Sequence, residues 1–136
     1  MNAKASSALN LRNPSQKSVS INGAELHYFE WPGAGAPILM AHGTGFHARC
    51  WDAVVSLLGD ARVIAVEHRG HGRSSKTPPY DWGTLGADMA GVVEALDLRE
   101  MTGVGHSLGA HVMIQAAFVH TERFRNLLAI DPILFA

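Results

Sequence analysis

The chain has 136 residues, of which 47% are hydrophobic, 17% charged and 7% aromatic, a composition typical of one compact globular domain. Its 11 basic and 12 acidic side chains leave a net charge of −1, which excludes a basic surface for nucleic acid or for an anionic membrane and favours a small-molecule partner. The single cysteine, Cys50, excludes an internal disulfide and a cysteine-built zinc site, and it favours the reducing cytoplasm.

The N-terminal residues are predicted to form a flexible arm over 1–18, followed by one domain over 19–136. Residues 1–20 are rich in Ser, Asn and Lys and lack the run of about 7 to 15 apolar residues that a secretory signal contains. The longest uncharged stretch, residues 101–119, contains several glycines and polar side chains, which argues against a membrane helix. No membrane association is therefore predicted.

The first predicted elements are a hairpin, a strand and a helix. Apolar residues alternate on both sides of Asn22-Gly23, which predicts an antiparallel hairpin over residues 19–31. After a predicted loop over 32–37, the continuous apolar run Ile38–Ala41 indicates a strand buried on both faces. Apolar residues with helical spacing then predict an amphipathic helix over 48–58.

Three further strands alternate with two further helices. Val63–Val66 predicts a buried strand, and an apolar stripe from Leu85 to Leu96 predicts a helix capped by Asp81 or Thr84, with Asp88 off the stripe. The remaining predictions are a strand over 101–104, a buried helix over 108–120 and a strand over 127–130. This order predicts an α/β fold, with a predominantly parallel sheet, an N-terminal antiparallel hairpin and helices on both faces. Ligands of such sheets bind beyond the carboxyl ends of the strands.

A Gly-x-Ser-x-Gly pentapeptide, Gly105–Gly109, lies between a predicted strand and a predicted helix. A serine that acts as a nucleophile must be raised on a tight turn, and Gly105 and Gly109 supply the necessary clearance. The N-terminus of the following helix also favours negative charge. The alternative interpretation is that Ser107 only caps that helix.

The segment His42–Phe46 follows the predicted strand Ile38–Ala41 and contains two glycines, Gly43 and Gly45. Acyl transfer needs two backbone N–H donors for the developing oxyanion, and small residues let the main chain approach it. The N–H groups of Thr44 and Leu108 are the candidates. The third segment, Glu67–Ser74, has the glycines of a sharp loop but no evident chemistry.

The histidines of these loops raise the question of a metal site. Four of them, His42, His47, His68 and His71, have spacings that suit imidazole ligands. They lie in loops already explained, without a shared helical face, and His42 is better interpreted as a hydrogen-bond donor that braces its loop. We therefore predict neither a metal nor another cofactor.

Together the three segments resemble those of the α/β-hydrolase fold superfamily, in order and in spacing, over residues 19–136. The resemblance implies a nucleophile elbow at Gly105–Gly109 with Ser107 as the nucleophile, an oxyanion hole formed by Thr44 and Leu108, and no cofactor. Glu67 stands where an aspartate is usual in the family. Because members that open epoxides or displace halide usually carry an aspartate nucleophile, Ser107 argues against those reactions.

The expected function is that of a serine hydrolase acting on carboxylic esters or related acyl compounds. Lyase, perhydrolase, thioesterase and lactonase activities stay open, as do the exact substrate and the oligomeric state. The alternative is a non-catalytic binding or receptor-like member of the same fold, since fold does not imply function.

The family's acid and histidine follow the serine in chain order. Here only His111 and His120 come after Ser107 as histidines, both on the helix that begins at the elbow, and Asp131 follows the last predicted strand. His111 is a poor candidate for the base, and Asp131 is more simply the end of a strand. We therefore expect a chain truncated before both groups, inactive by itself and prone to associate through an uncovered strand at 127–130.

Overall fold

A six-stranded mixed sheet organises residues 12–135, the part of the chain that the computed structural model describes. Its strands run in the order β1-β2-β4-β3-β5-β6. β1 pairs antiparallel with β2 and β2 pairs antiparallel with β4, whereas β3 pairs parallel with both β4 and β5, and β5 with β6. The strands are β1 (Ser15–Ile21), β2 (Ala24–Trp31), β3 (Ala34–Ala41), β4 (Ala61–Val66), β5 (Met101–His106) and β6 (Phe124–Ile130). This sheet confirms the predicted fold class.

Helices cover both faces of the sheet. They are α1 (Asp52–Ser56), which follows a 3₁₀ turn at Ala48–Trp51, α2 (Trp82–Ala95) and α3 (Leu108–Val119), and a second 3₁₀ turn spans Thr121–Arg123. Successive residues of a strand point to opposite faces. Accordingly Leu39 packs in the core beneath α2 and α3, and its neighbour Met40 packs in the core beneath α1. This two-sided burial explains why the central strands are continuously apolar.

Several strands extend beyond their apolar centres. β1 begins at Ser15, so residues 15–18 belong to the sheet and the predicted arm boundary at 18 is wrong for them, while residues 1–11 of that arm lie outside the described residues. The predicted loop over 32–37 is also partly strand, because Ala34 pairs with Ala61 ahead of an irregularity before Ile38. Backbone pairing sets strand length, whereas the hydrophobic pattern marks only the part that is buried on both sides.

The helix predicted over 48–58 is shorter and less regular than expected. Residues 48–51 form the 3₁₀ turn, and only residues 52–56 are α-helical. Trp51 and Val55 are buried as the stripe requires, but Val54 is 42% exposed. The apolar spacing therefore identified only part of the buried face, and it did not distinguish a 3₁₀ turn from an α-turn, since both place residues i and i+3 close together.

Asp88, predicted to lie off the apolar stripe of α2, is buried in an ion pair. Its carboxylate binds Arg69 in a bidentate manner, at 2.8 Å from Nε and 2.9 Å from Nη2. Arg69 Nη2 also donates to the carbonyl oxygen of Asn22 at 3.0 Å. The pair thus joins the turn of the hairpin, the loop after β4 and helix α2, and it holds that loop against the sheet.

β6 is an edge strand among the strands that the structure describes, because it pairs with β5 alone. Its apolar side chains are more exposed than a strand covered on both faces would show, with Leu128 at 55%. As to membranes, no helix within residues 12–135 has the length and apolarity needed to span one.

Candidate active site

Three loops converge at the carboxyl end of the parallel strands. β3 leads into His42–Phe46, β4 leads into Glu67–Ser74, and β5 leads through Gly105–Gly109 into α3. Because β3 lies between β4 and β5, the first loop is flanked by the other two. Sheet order therefore assembles, at one edge, three segments that are far apart in the sequence.

Ser107 occupies a backbone conformation that non-glycine residues seldom adopt. Its φ is +54° and its ψ is −114°, between the end of β5 and the start of α3. Two backbone hydrogen bonds hold it there: its N–H donates to Ile130 O at 3.0 Å, and its carbonyl accepts from His111 N at 3.1 Å. Strain of this kind persists only where surrounding contacts impose it, and it is frequent at functional sites.

The hydroxyl of Ser107 does not cap α3. No side-chain hydrogen bond is made at the N-cap of this helix. The interpretation of Ser107 as a simple capping residue is therefore wrong, and within residues 12–135 its hydroxyl makes no hydrogen bond.

Gly105 and Gly109 allow backbone segments to approach too closely for any side chain. A Cβ on Gly105 would lie 2.3 Å from Gly109 O, and a Cβ on Gly109 would lie 2.1 Å from Ala41 O. These contacts bring the first turn of α3 directly against the end of β3. Gly43 is also tight, since a Cβ there would lie 3.0 Å from Nδ1 of His106.

The segment Gly43–Phe46 forms a tight turn with Thr44 at its second position. Phe46 N donates to Gly43 O at 3.1 Å, and Gly45 has a φ of +80°. A hydrogen bond from the fourth residue to the first, with positive φ at the third, defines a type II turn. Within residues 12–135, the N–H groups of Thr44 and Leu108 make no hydrogen bond, so both donors are free.

A cavity of about 480 Å³ opens beside these two donors, because Thr44 and Leu108 both line it. Its other walls come from the loop after β4 and from the start of α2, among them Tyr80, Trp82 and Leu85. The cavity therefore lies where ligands of parallel α/β sheets bind.

Three of the four histidines discussed above pack together under the loops. The ring centroid of His42 lies 4.2 Å from that of His68 and 5.2 Å from that of His71. His68 N donates to Nε2 of His42 at 3.2 Å, so Nδ1 of His42 carries the proton and donates to Gly43 O at 2.8 Å. Nε2 of His68 donates to His42 O at 2.7 Å.

His71 completes this arrangement from the loop after β4. Its Nε2 accepts from Gly45 N at 3.1 Å, which leaves the proton on Nδ1 for Arg69 O, also at 3.1 Å. The ring therefore fixes the peptide that follows Thr44. The fourth histidine, His47, lines a different cavity. In the described chain, no group of three or more side chains is arranged to hold a metal ion.

Glu67 has a structural role that the sequence did not suggest. Its buried carboxylate accepts from Ala48 N and from Arg73 N, each at 3.0 Å. A Cβ on Gly72 would lie 2.2 Å from this carboxylate, so glycine is needed where the loop crosses it. Glu67 thereby links the loop after β4 to the segment that follows Phe46.

The two weaker sequence candidates, His111 and Asp131, are not brought to Ser107. Nδ1 of His111 donates to Ile133 O at 2.7 Å, and its ring packs edge-on against Trp82 with centroids 4.9 Å apart. Asp131 is exposed, with a φ of +46°. In the described residues, neither side chain is hydrogen-bonded to the serine.

Acidification is expected to destabilise the fold through the buried histidines. Burial lowers the pKa of His42 to about 4 and that of His68 to about 3, from an ordinary value of 6.5. Below pH 6.5 the unfolded chain takes up protons that the folded chain does not. The free energy of unfolding therefore decreases as the pH is lowered, by about 1.4 kcal/mol per pH unit for each of these two histidines.

Urea unfolding at several pH values between about 7 and 5 measures this slope. We expect His68→Asn to reduce the slope by about 1.4 kcal/mol per pH unit, the contribution of one proton. A wild-type slope smaller than about 1.4 kcal/mol per pH unit, which corresponds to the uptake of one proton on unfolding, would contradict the burial argument.

Comparison with known proteins agrees with the resemblance noted in the sequence. Residues 38–136 match the model of the alpha/beta hydrolase family. A non-heme chloroperoxidase of Kitasatospora aureofaciens is 34% identical over 120 residues, which cover 83% of this chain and 43% of the relative. The N-formylmaleamate deformylase of Pseudomonas putida is 35% identical over 120 residues, covering 85% of this chain and 44% of the relative.

Solved structures give the same result. The haloalkane dehalogenase DatA of Agrobacterium tumefaciens superposes with a TM-score of 0.83 at 30% identity, covering 90% of this chain and 42% of that one. The chain thus spans less than half the length of the relatives that it matches. The family match covers well over half of the chain, and the matched part includes all three loops that build the site. The chain belongs to the alpha/beta hydrolase family.

Proposed function

We propose that the protein is a serine hydrolase in which Ser107 attacks carboxylic esters or related acyl compounds. The observation that supports this most directly is the uncapped hydroxyl of Ser107, on a turn with φ of +54°, in the residue directly before Leu108, which lines a cavity together with Thr44. The match to the alpha/beta hydrolase family and the similarity to a deformylase support the coarser part of the proposal, which is hydrolysis of a small molecule.

In the proposed reaction, Oγ of Ser107 adds to the carbonyl carbon while its proton passes to a general base. The carbonyl oxygen becomes an oxyanion held by the N–H groups of Thr44 and Leu108. Collapse of this intermediate expels the alcohol with a proton and leaves an ester on Ser107. Water then adds to that ester and releases the acid and the free serine.

The reaction requires a base within hydrogen-bond reach of Ser107. Neither His111 nor Asp131 makes that contact in this structure, so we assign no residue to the role. The fixed tautomers of His42 and His71 give those rings a supporting function, because both ring nitrogens of each are engaged by the backbone.

Serine as the nucleophile favours acyl transfer over attack on a saturated carbon. Attack of Oγ on the carbon of an epoxide or a haloalkane leaves an ether on Ser107, which water does not cleave. Attack on an acyl carbon leaves an ester, which water cleaves readily. The resemblance to a haloalkane dehalogenase is therefore a resemblance of fold, and we do not extend that reaction to this protein.

The test is covalent labelling with an alkyl fluorophosphonate, applied to protein produced from the complete reading frame that contains these residues. Oγ attacks phosphorus and fluoride leaves, so the adduct reports an activated serine. We expect one adduct, located on the Ser107 peptide by mass spectrometry. Ser107→Ala should abolish labelling, and Ser56→Ala, which changes a half-buried serine of α1 on the other face of the sheet, should not.

Two outcomes would contradict the proposal. Folded wild-type protein that remains unlabelled would favour the non-catalytic alternative, in which the fold binds a ligand without turnover. Equal labelling of the Ser107→Ala variant would show that another serine reacts.

A further inference from the structure

We infer that the cavity beside Ser107 accepts an uncharged, apolar acyl group and discriminates against an acyl group that carries a carboxylate. This inference rests on the proposed function and specifies its substrate class. It depends on which side chains form the cavity walls and on whether any cation there is free to bind an anion.

The walls are mainly aromatic and aliphatic. Trp82, Leu85 and Leu108 face the cavity, and Tyr80 adds a further ring. Leu85 and Leu108 are buried residues of the core beneath α2 and α3, so their positions are fixed by packing. A surface of this kind favours burial of methylene and aryl groups, each of which adds to binding in proportion to its area.

Among the described residues that line the cavity, Arg69 alone has a permanent charge, and that charge is already neutralised by Asp88. Its guanidinium has five N–H groups. Nε and Nη2 donate to the carboxylate of Asp88, while Nη2 also donates to Asn22 O at 3.0 Å and Nη1 to Thr77 O at 3.3 Å. Four of the five groups are therefore engaged, and a substrate carboxylate would have to compete with a buried bidentate partner.

His71 cannot substitute for that cation without losing its contacts. Its Nε2 accepts from Gly45 N, so protonation of this nitrogen would set two N–H groups against each other. The neutral ring is the form that the turn at Gly43–Phe46 requires. The hydroxyls of Thr44 and Tyr80 and the indole N–H of Trp82 are then the remaining polar side-chain groups of the described lining residues, and all three are uncharged.

A carboxylate that enters this cavity would lose its hydration without gaining a free counter-ion from the lining residues within 12–135. Such burial costs far more than burial of a methyl group of similar size. Transfer from water into the cavity therefore costs more free energy for an acyl chain that ends in a carboxylate than for one that ends in a methyl group. This difference in desolvation cost predicts that the neutral substrate is preferred.

The experiment compares two substrates of equal length on protein from the complete reading frame. These are p-nitrophenyl pentanoate and mono-p-nitrophenyl glutarate, whose acyl chains differ only in a terminal methyl group or carboxylate. We expect kcat/KM to be at least about 100-fold higher for the pentanoate, after correction for spontaneous hydrolysis. Equal rates, or faster hydrolysis of the glutarate, would overturn the inference.

A variant that adds a cation to the wall gives a second readout. Trp82→Arg should reduce the preference for the pentanoate by at least about tenfold, because a free guanidinium then faces the acyl chain. The matched control is Leu57→Arg, on the far side of the sheet at a side chain that is 75% exposed, which should leave the preference unchanged. A preference that shifts equally in both variants would contradict the assignment of the cavity.

Binding to the Ser107→Ala variant separates this inference from the proposed function. The probes are the anilides of pentanoic acid and of glutaric acid, followed through the indole N–H signal of Trp82. Binding of the neutral anilide to Ser107→Ala, together with no hydrolysis of either p-nitrophenyl ester by the wild-type protein, would uphold the cavity assignment and refute the hydrolase proposal. Equal binding of both anilides would refute the cavity assignment even if Ser107 reacts.

Discussion

Replacement of Gly109 by alanine is expected to destabilise the protein by more than about 3 kcal/mol, or to prevent folding altogether. The added Cβ would lie 2.1 Å from Ala41 O and 2.6 Å from His42 O, and both atoms belong to the backbone. Neither can rotate away, so α3 must move off the end of β3. That movement would also displace Ser107 and Leu108, which lie at the start of the same helix.

Gly83 supplies the matched control, because it is the second residue of α2 as Gly109 is of α3. A Cβ on Gly83 would meet only the side chain of Asp81, at 3.3 Å. Gly83→Ala should therefore be neutral or stabilising by about 0.5 to 1 kcal/mol. Urea unfolding of the two variants measures the difference. Equal effects would show that helical position, and not the contact with β3, determines the cost.

The backbone framework of the site could be predicted from local patterns. Glycine positions identified the turn at Gly105–Gly109, and alternating apolar residues identified the hairpin around Asn22-Gly23, which pairs as β1 and β2. Asp81 was one of two candidates for the cap of α2, and its Oδ1 accepts from Thr84 N at 2.8 Å. Each of these features is indicated by residues within a few positions of one another, although the close contact of Gly109 is with Ala41 O, which lies far away in the sequence.

The contacts that hold the loops together could not be predicted in the same way. Arg69 binds Asp88 and Asn22, and His71 binds Gly45, across separations that only the strand order closes. One signal was present, however. Asp88 lies three residues after Leu85 and four before Val92, which places it within the apolar stripe of α2 and not beside it. A carboxylate at such a position requires a buried cation, and Arg69 provides it.

The glutamate at position 67 illustrates a different limit. Glu67 is longer by one methylene than the aspartate that is usual in the family, and the neighbouring sequence does not indicate which groups its carboxylate binds. In the structure, that carboxylate accepts hydrogen bonds from Ala48 N and Arg73 N, which belong to two separate segments of the chain. A role that consists of joining two segments becomes visible only when both segments are in place.

In the reaction proposed above, substitution of Thr44 by proline is expected to lower turnover by about 10² to 10³, the effect of removing one oxyanion donor. Proline has no N–H, and its fixed φ is the one that the second position of a type II turn prefers. The turn itself is closed by Phe46 N and Gly43 O, and Gly45 N is held by His71, so neither contact depends on Thr44. The variant therefore removes the donor from a site whose framework remains intact.

Thr44→Ala provides the comparison, because it removes the side chain and keeps the N–H. We expect turnover of p-nitrophenyl pentanoate to fall at least about tenfold further in Thr44→Pro than in Thr44→Ala. Most of that difference should appear in kcat and little in KM, because the oxyanion exists in the transition state and not in the bound ester. If the two variants lost activity equally, the side chain of Thr44 would matter and its N–H would not. A loss confined to KM would mean that the turn positions substrate without binding the oxyanion, and the donor beside Leu108 would have to be sought elsewhere in the loop.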